Sequence, residues 1–122
     1  MPVCLTIDPS PIVRRVATHL FMTEGFLALD FASAREGILA AREQRPSLIL
    51  VDSRVEDMSA LEAVATLRDQ SLIETKIFVT SIENDPLITT QAIRAGANGL
   101  IVKPYDRFEI RDRLVGMNNR AA

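Results

Sequence analysis

The segment Ser47-Leu48-Ile49-Leu50-Val51-Asp52 constrains this chain more than any other. Four apolar residues stand together without interruption and stop on a carboxylate. Pro46 bounds the run in front and a polar, acidic loop bounds it behind, so it reads as a short strand buried on both faces. Asp52 then stands where the strand leaves the core. In an open α/β sheet that edge, outside the carboxyl ends of the strands, is where ligands bind.

The rest of the chain alternates around this strand. Val3 to Ile7 reads as a first strand ending on Asp8. Ser10-Pro11 starts a helix with a hydroxyl cap and a proline at the first helical position. Ile12, Val13, Val16, Ala17, Leu20 and Phe21 recur at helical spacing as one apolar face, with a stop at Gly25. Phe26 to Phe31 is a second strand. Ser33 and Glu36 form a capping box, each satisfying the other's backbone N–H, and open a helix to about Arg45 with Ile38, Leu39 and Ala41 inward. After the opening strand, Ser59 and Glu62 repeat the box, and Leu61, Val64, Ala65 and Leu67 follow as apolar positions. Lys76 to Thr80 is a fourth strand. Asp85-Pro86 starts a helix that ends at Ala95-Gly96, and Leu100 to Val102 is a fifth strand. Asp106 and Glu109 cap a last helix, whose Arg111, Arg113 and Arg120 suit its carboxyl end. Residues 118–122 are expected to fray.

This alternation predicts one α/β domain over residues 1–122, a five-stranded parallel sheet with helices on both faces joined by right-handed crossovers. The net charge of −2 and pI near 5.4 give no bulk case for nucleic-acid binding. No apolar stretch approaches the ~20 residues that span a membrane, and no signal-peptide pattern opens the chain, so a cytoplasmic location without membrane insertion is expected. The single cysteine, Cys4, lies in an apolar run and reads as a buried hydrophobe.

Four strands stop on a functional group: Asp8, Asp52, Thr80 and Lys103. In a parallel sheet these ends share one edge. Two carboxylates, a hydroxyl and an ammonium suit a divalent cation and a phosphoryl group. Mg²⁺ takes one or two carboxylates plus water and phosphate oxygens. An aspartate can itself carry a phosphoryl group, and a lysine and a hydroxyl can neutralise charge on it.

On these residues the chain resembles the receiver domain of bacterial two-component response regulators. The likeness lies in Ile7-Asp8-Pro9-Ser10-Pro11 with Arg14-Arg15, in Pro46 to Asp52, in Val79-Thr80-Ser81, in Ala95 to Gly99 and in Val102-Lys103-Pro104-Tyr105. The resemblance implies a CheY-like (flavodoxin-like) fold with strand order 2-1-3-4-5 and a stand-alone signalling domain, not an enzyme, with no output domain. It implies that Asp52 takes a phosphoryl group from a histidine kinase or histidine phosphotransfer protein. It also implies that Asp8, Asp52 and the Arg54 backbone carbonyl hold Mg²⁺. Thr80 is then the switch hydroxyl, with small Ser81 leaving it room. Lys103 pairs with the phosphoryl oxygens and its bond to Pro104 is cis. His19 lies in the first helix's apolar pattern as a packed or edge residue, not a phosphodonor.

Three departures from the family pattern stand out. Pro9 replaces the second of two adjacent acidic residues, which weakens the expected Mg²⁺ site. The loop after Asp52 carries Glu56, Asp57 and Ala60 where the family often has a proline and two glycines, and Glu56 or Asp57 offers a replacement charge. Leu100 replaces the aromatic switch residue, which puts in question coupling to a partner face formed by Arg94, Leu100, Tyr105, Arg107 and Arg111. A degenerate receiver acting as a phosphorylation-independent interaction module is the alternative. A haloacid-dehalogenase-like phosphatase is disfavoured because Arg54 stands where it needs a second aspartate. A nucleotide-binding domain is disfavoured because no glycine-rich loop follows the first strand.

Overall fold

Local chemistry at the element ends decides where each segment begins. In the computed structural model, which describes residues 2–113, the strands are β1 (Val3–Ile7), β2 (Leu27–Phe31), β3 (Leu48–Asp52), β4 (Lys76–Ser81) and β5 (Gly99–Val102). The helices are α1 (Pro11–Thr23), α2 (Ala34–Gln44), α3 (Ala60–Asp69) and α4 (Pro86–Ala95), and a fifth, α5, starts at 107 and reaches 113. The expected fraying at 118–122 and the position of Arg120 fall outside the described residues. Ser10, Ser33, Ser59, Asp85 and Asp106 each accept a backbone N–H of the helix they open. In the α2 box, Glu36 accepts the Ser33 hydroxyl at 3.0 Å rather than its backbone N–H.

The five strands are all parallel, in the order β2-β1-β3-β4-β5. This is the expected topology, with helices on both faces. Strand side chains alternate between two cores. Leu5, Ile7, Ile49, Val51, Ile77, Val79 and Leu100 face α2, α3 and α4. Cys4, Leu48, Leu50, Phe78 and Ile101 face Ala17 and Phe21 of α1 and Ile110 of α5. Cys4 is fully buried in that second core, and burial pushes its thiol up to about 12.

Each helix buries a narrower stripe than its apolar pattern suggested. In α2 the buried set is Ala34, Gly37, Ile38 and Ala41, and in α3 it is Ala60, Ala63, Val64 and Leu67. Both follow i, i+3, i+4, i+7 spacing. Leu39 and Ala65 are one position off this stripe and exposed, so Leu39 does not face inward as expected. In α1 only Ala17 and Phe21 are buried, while Ile12 is 74% exposed and Val16 50%. His19 is exposed as well.

The far end of the sheet is tied together by Arg68. From the end of α3 its guanidinium donates to the carbonyls of Gly96, Leu72 and Thr75 and to Asn98 Oδ1. Asn98 Oδ1 also accepts Ile77 N–H at 2.8 Å, so the α4–β5 loop is locked to β4. Gly96 closes α4 at φ +118°, where a Cβ would lie 2.6 Å from Arg68 Cγ. Gly96→Ala therefore combines backbone strain with a clash and is expected to cost about 2 kcal/mol by urea denaturation. An unchanged midpoint would contradict this packing.

Candidate functional site

The four polar strand ends meet. On the side of the sheet facing α1 and α5, side chains run Cys4-Thr6-Asp8, Leu48-Leu50-Asp52, Phe78-Thr80 and Ile101-Lys103. Each row closes on its polar group at the carboxyl edge. Asp52 stands directly opposite Thr80 in the β3–β4 register. The groups thus share an edge and a face.

Asp52 is fully buried. Its Oδ1 receives the Lys103 ammonium at 2.7 Å and the Thr80 hydroxyl at 3.2 Å. Its Oδ2 accepts the Arg54 backbone N–H at 3.0 Å and lies 3.6 Å from Arg54 Nε. Lys103, whose side chain is only 7% exposed, also reaches Asp8 Oδ2 at 3.1 Å. Asp8 Oδ1 accepts Ser10 N–H at 2.8 Å, which turns the chain into α1. Arg14 donates to the Asp8 carbonyl at 2.7 Å and is held by Asp30, pinning the same loop. Ser81 is buried and accepts Glu83 N–H at 3.2 Å. The Lys103–Pro104 bond is cis, as expected.

Several expected roles change. Tyr105, assigned to an exposed partner face, is buried in the α1/α5-side core close to the site. Burial, reinforced by the charges of Asp8 and Asp52, raises its hydroxyl pKa far above the ordinary tyrosine value. Leu100 is buried on the opposite side of the sheet, opposite Val79. What remains exposed of that face is Arg94 and Arg107, with Ile93, Phe108 and an Arg111 paired to Glu24.

Asp57 does not replace the missing charge. Its two oxygens accept the N–H groups of Ala34 and Arg35 at 2.9 Å each, so it caps α2 from the β3–α3 loop. Glu56 is exposed. The loop's departure from the family pattern is therefore structural, and no local sequence signal links positions 57 and 34.

The donor set fits a divalent cation poorly. Among the described residues no three His, Cys, Asp or Glu side chains are placed to hold a metal. Pro9 supplies no oxygen from its side chain, and every oxygen of Asp8 and Asp52 has a protein partner. Arg54 approaches Asp52 Oδ2 with its amide N–H and its guanidinium, which sets positive charge beside the carboxylate.

A cleft of about 320 Å³ opens beside the site, lined by Arg54, Lys103 and Tyr105 and by Ile12, Val16, Ile82 and Pro104. A larger depression of about 740 Å³ at the opposite edge, between Pro46, Ser71 and Lys76, contains none of the four strand-end groups.

Comparison with known proteins agrees with this geometry. A family model described as the response regulator receiver domain matches residues 4–115. The structure of the Vibrio cholerae chemotaxis protein CheY4 superposes with a TM-score of 0.87 at 27% identity, covering 94% of this chain and 97% of that one. The transcriptional regulatory protein KdpE of Mycobacterium tuberculosis is 27% identical over 124 residues, all of this chain but 54% of that protein. A putative transcriptional regulator of Pseudomonas aeruginosa is 29% identical over 107 residues, 87% of this chain and 51% of that protein. The chain thus spans about half the length of the curated relatives it matches.

The Asp57 cap makes a pH-dependent prediction. Burial alone would raise its carboxyl pKa, but the backbone N–H groups of Ala34, Arg35 and Asp57 itself, with the Arg35 guanidinium, hold it below the ordinary value. A depressed folded-state pKa adds stability above the unfolded value of about 3.9, and that stability is lost as pH falls through the folded value. The side chain is 23% exposed, so solvent screening keeps the effect small. Asp57→Ala is expected to cost about 1 kcal/mol at neutral pH by urea denaturation, with the gap to wild type closing in acid. A gap that is independent of pH would contradict the carboxylate cap.

Proposed function

The chain belongs to the response regulator receiver family of two-component systems, and on that footing we propose that Asp52 is its phosphoacceptor and that a protein-borne phosphohistidine is the donor. The observation that carries this reading is the contact of Asp52 Oδ1 with both the Lys103 ammonium and the Thr80 hydroxyl. An Asp52 oxygen attacks phosphorus and forms the new phosphorus–oxygen bond. The phosphorus–nitrogen bond breaks and its electron pair stays on the departing imidazole. The product is an acyl phosphate, with Lys103 and Thr80 as the nearest donors to its oxygens. The chain is the receiving partner in this exchange, not an enzyme acting on a separate substrate.

The surroundings suit a protein donor. Exposed Ile12, Val16 and Ile82 line the same cleft as Arg54 and Lys103. Apolar rim contacts would seat the partner while the buried acceptor receives its phosphoryl group. On this reading the meeting takes place in the cytoplasm. No helix among the described residues is long and apolar enough to cross a membrane.

The output is binding to a further protein. Thr80 lies two residues before exposed Ile82, so a Thr80 that turns toward the phosphoryl group changes the β4–α4 loop directly. Exposed Ile93, Arg94, Arg107 and Phe108 form the neighbouring surface for a target. Pro9 and the buried Leu100 favour a second reading, in which the chain binds its partner regardless of phosphate. Unchanged partner binding by Asp52→Asn would select that reading.

Receiver domains as a family bind Mg²⁺ in an acidic pocket. The residues expected to hold such an ion here, Asp8, Asp52 and the Arg54 carbonyl, lack the carboxylate that Pro9 replaces and fit it poorly. Incubation with acetyl phosphate in Mg²⁺ buffer is expected to add one phosphoryl mass to the wild type and none to Asp52→Asn. Lys103→Met is expected to slow the gain about 100-fold. A wild type that stays unmodified, or an Asp52→Asn modified to the same extent, would overturn the reading.

A further inference from the structure

The charges around Asp52 balance without a metal. Asp8 and Asp52 bring two negative charges, and Lys103 and Arg54 bring two positive ones within ion-pair distance. No carboxylate oxygen of the pair is left over. Asp8 is held by Ser10 N–H and Lys103, and Asp52 by Thr80, Lys103 and Arg54. Position 9 is proline, and Asp57, the nearest loop carboxylate with a defined partner, is committed to α2. A divalent cation bound at Asp52 Oδ2 would meet the Arg54 guanidinium 3.6 Å from that oxygen and would leave the pocket positively charged.

We propose that the Arg54 guanidinium is the resident counter-cation of the phosphoacceptor, standing in for the divalent metal, so that Asp52 accepts a phosphoryl group without one. This rests on Asp52 being the acceptor. A guanidinium suits the task because it is permanently charged and its planar fork of donors matches phosphate oxygens two at a time. The Arg54 side chain is 57% exposed at the mouth of the cleft, so it can shift from Oδ2 to an arriving phosphoryl group while staying solvated. Its backbone N–H stays on Oδ2 and fixes the root of the side chain. The transfer step is the one written above, with the same bonds made and broken and no added co-reactant.

The test uses phosphoramidate labelling followed by intact mass, in EDTA and in Mg²⁺ buffer, beside calorimetric titration with Mg²⁺. The proteins are wild type, Arg54→Met and the double variant Pro9→Asp/Arg54→Met. Wild type is expected to label at nearly the same rate in both buffers. Arg54→Met is expected to label about tenfold more slowly in EDTA. The double variant, with a carboxylate restored and the guanidinium gone, is expected to recover in Mg²⁺ and to give saturable Mg²⁺ heat that the wild type lacks. Labelling of the wild type only in Mg²⁺, saturable Mg²⁺ heat from the wild type, or undiminished labelling of Arg54→Met in EDTA would each overturn the proposal. A wild type that labels in neither buffer removes the phosphoacceptor reading instead. Calorimetry then still decides the role of Arg54: metal binding gained only in the double variant supports it, and metal binding by the wild type refutes it.

Discussion

One buried ammonium holds the working end of this molecule together. Lys103 stands between Asp52 and Asp8 at 2.7 and 3.1 Å with almost no access to water. A charge in that position is tolerated only when paired and hydrogen-bonded, and the two carboxylates in turn could not share so dry a pocket without it. The contact joins residues 95 apart in the sequence and ties the ends of β1, β3 and β5. Thr80, from β4, completes the set through Asp52. Strand order, register and helix placement all serve to bring these groups within reach.

The sheet does this through its two-residue period. On one face each row of side chains is mostly apolar until its last member, and those last members are Asp8, Asp52, Thr80 and Lys103. The same rows form the core beneath α1 and α5, so the packing that stabilises the fold also aims the polar groups. The loops then hold the edge still. Asp8 turns into the Ser10 cap, Arg14 grips the Asp8 carbonyl, and Asp57 ties the β3–α3 loop to the start of α2.

Much of this was legible in the sequence. The strands are uninterrupted apolar runs, and the helices announce themselves by serine and aspartate caps, because those signals lie within a few residues of what they control. Convergence of Asp8, Asp52, Thr80 and Lys103 follows from parallel topology alone. What could not be read depends on contacts between distant segments. Nothing near Asp57 shows that it serves Ala34 and Arg35, and nothing near Arg68 shows four acceptors drawn from two loops. The exposure of Ile12 and Val16 was hidden for a related reason. Helical periodicity marks an apolar face without saying how wide a strip the sheet covers, and these two residues lie outside it, around the mouth of the site. The family's partner face implies an exposed Tyr105, whereas its side chain is buried in the core that Ala17 and Phe21 of α1 also line.

The central claim is that Lys103 and the aspartates form one coupled charge unit at the carboxyl edge of the sheet. A double-mutant cycle on stability measures that coupling directly, by urea denaturation of wild type, Lys103→Met, Asp52→Asn and the pair. Lys103→Met alone should be severely destabilising, since it leaves two carboxylates facing each other in a dry pocket. In the Asp52→Asn background the same change should cost much less, giving an interaction energy of about 2 kcal/mol. Additive effects of the two substitutions would contradict the claim.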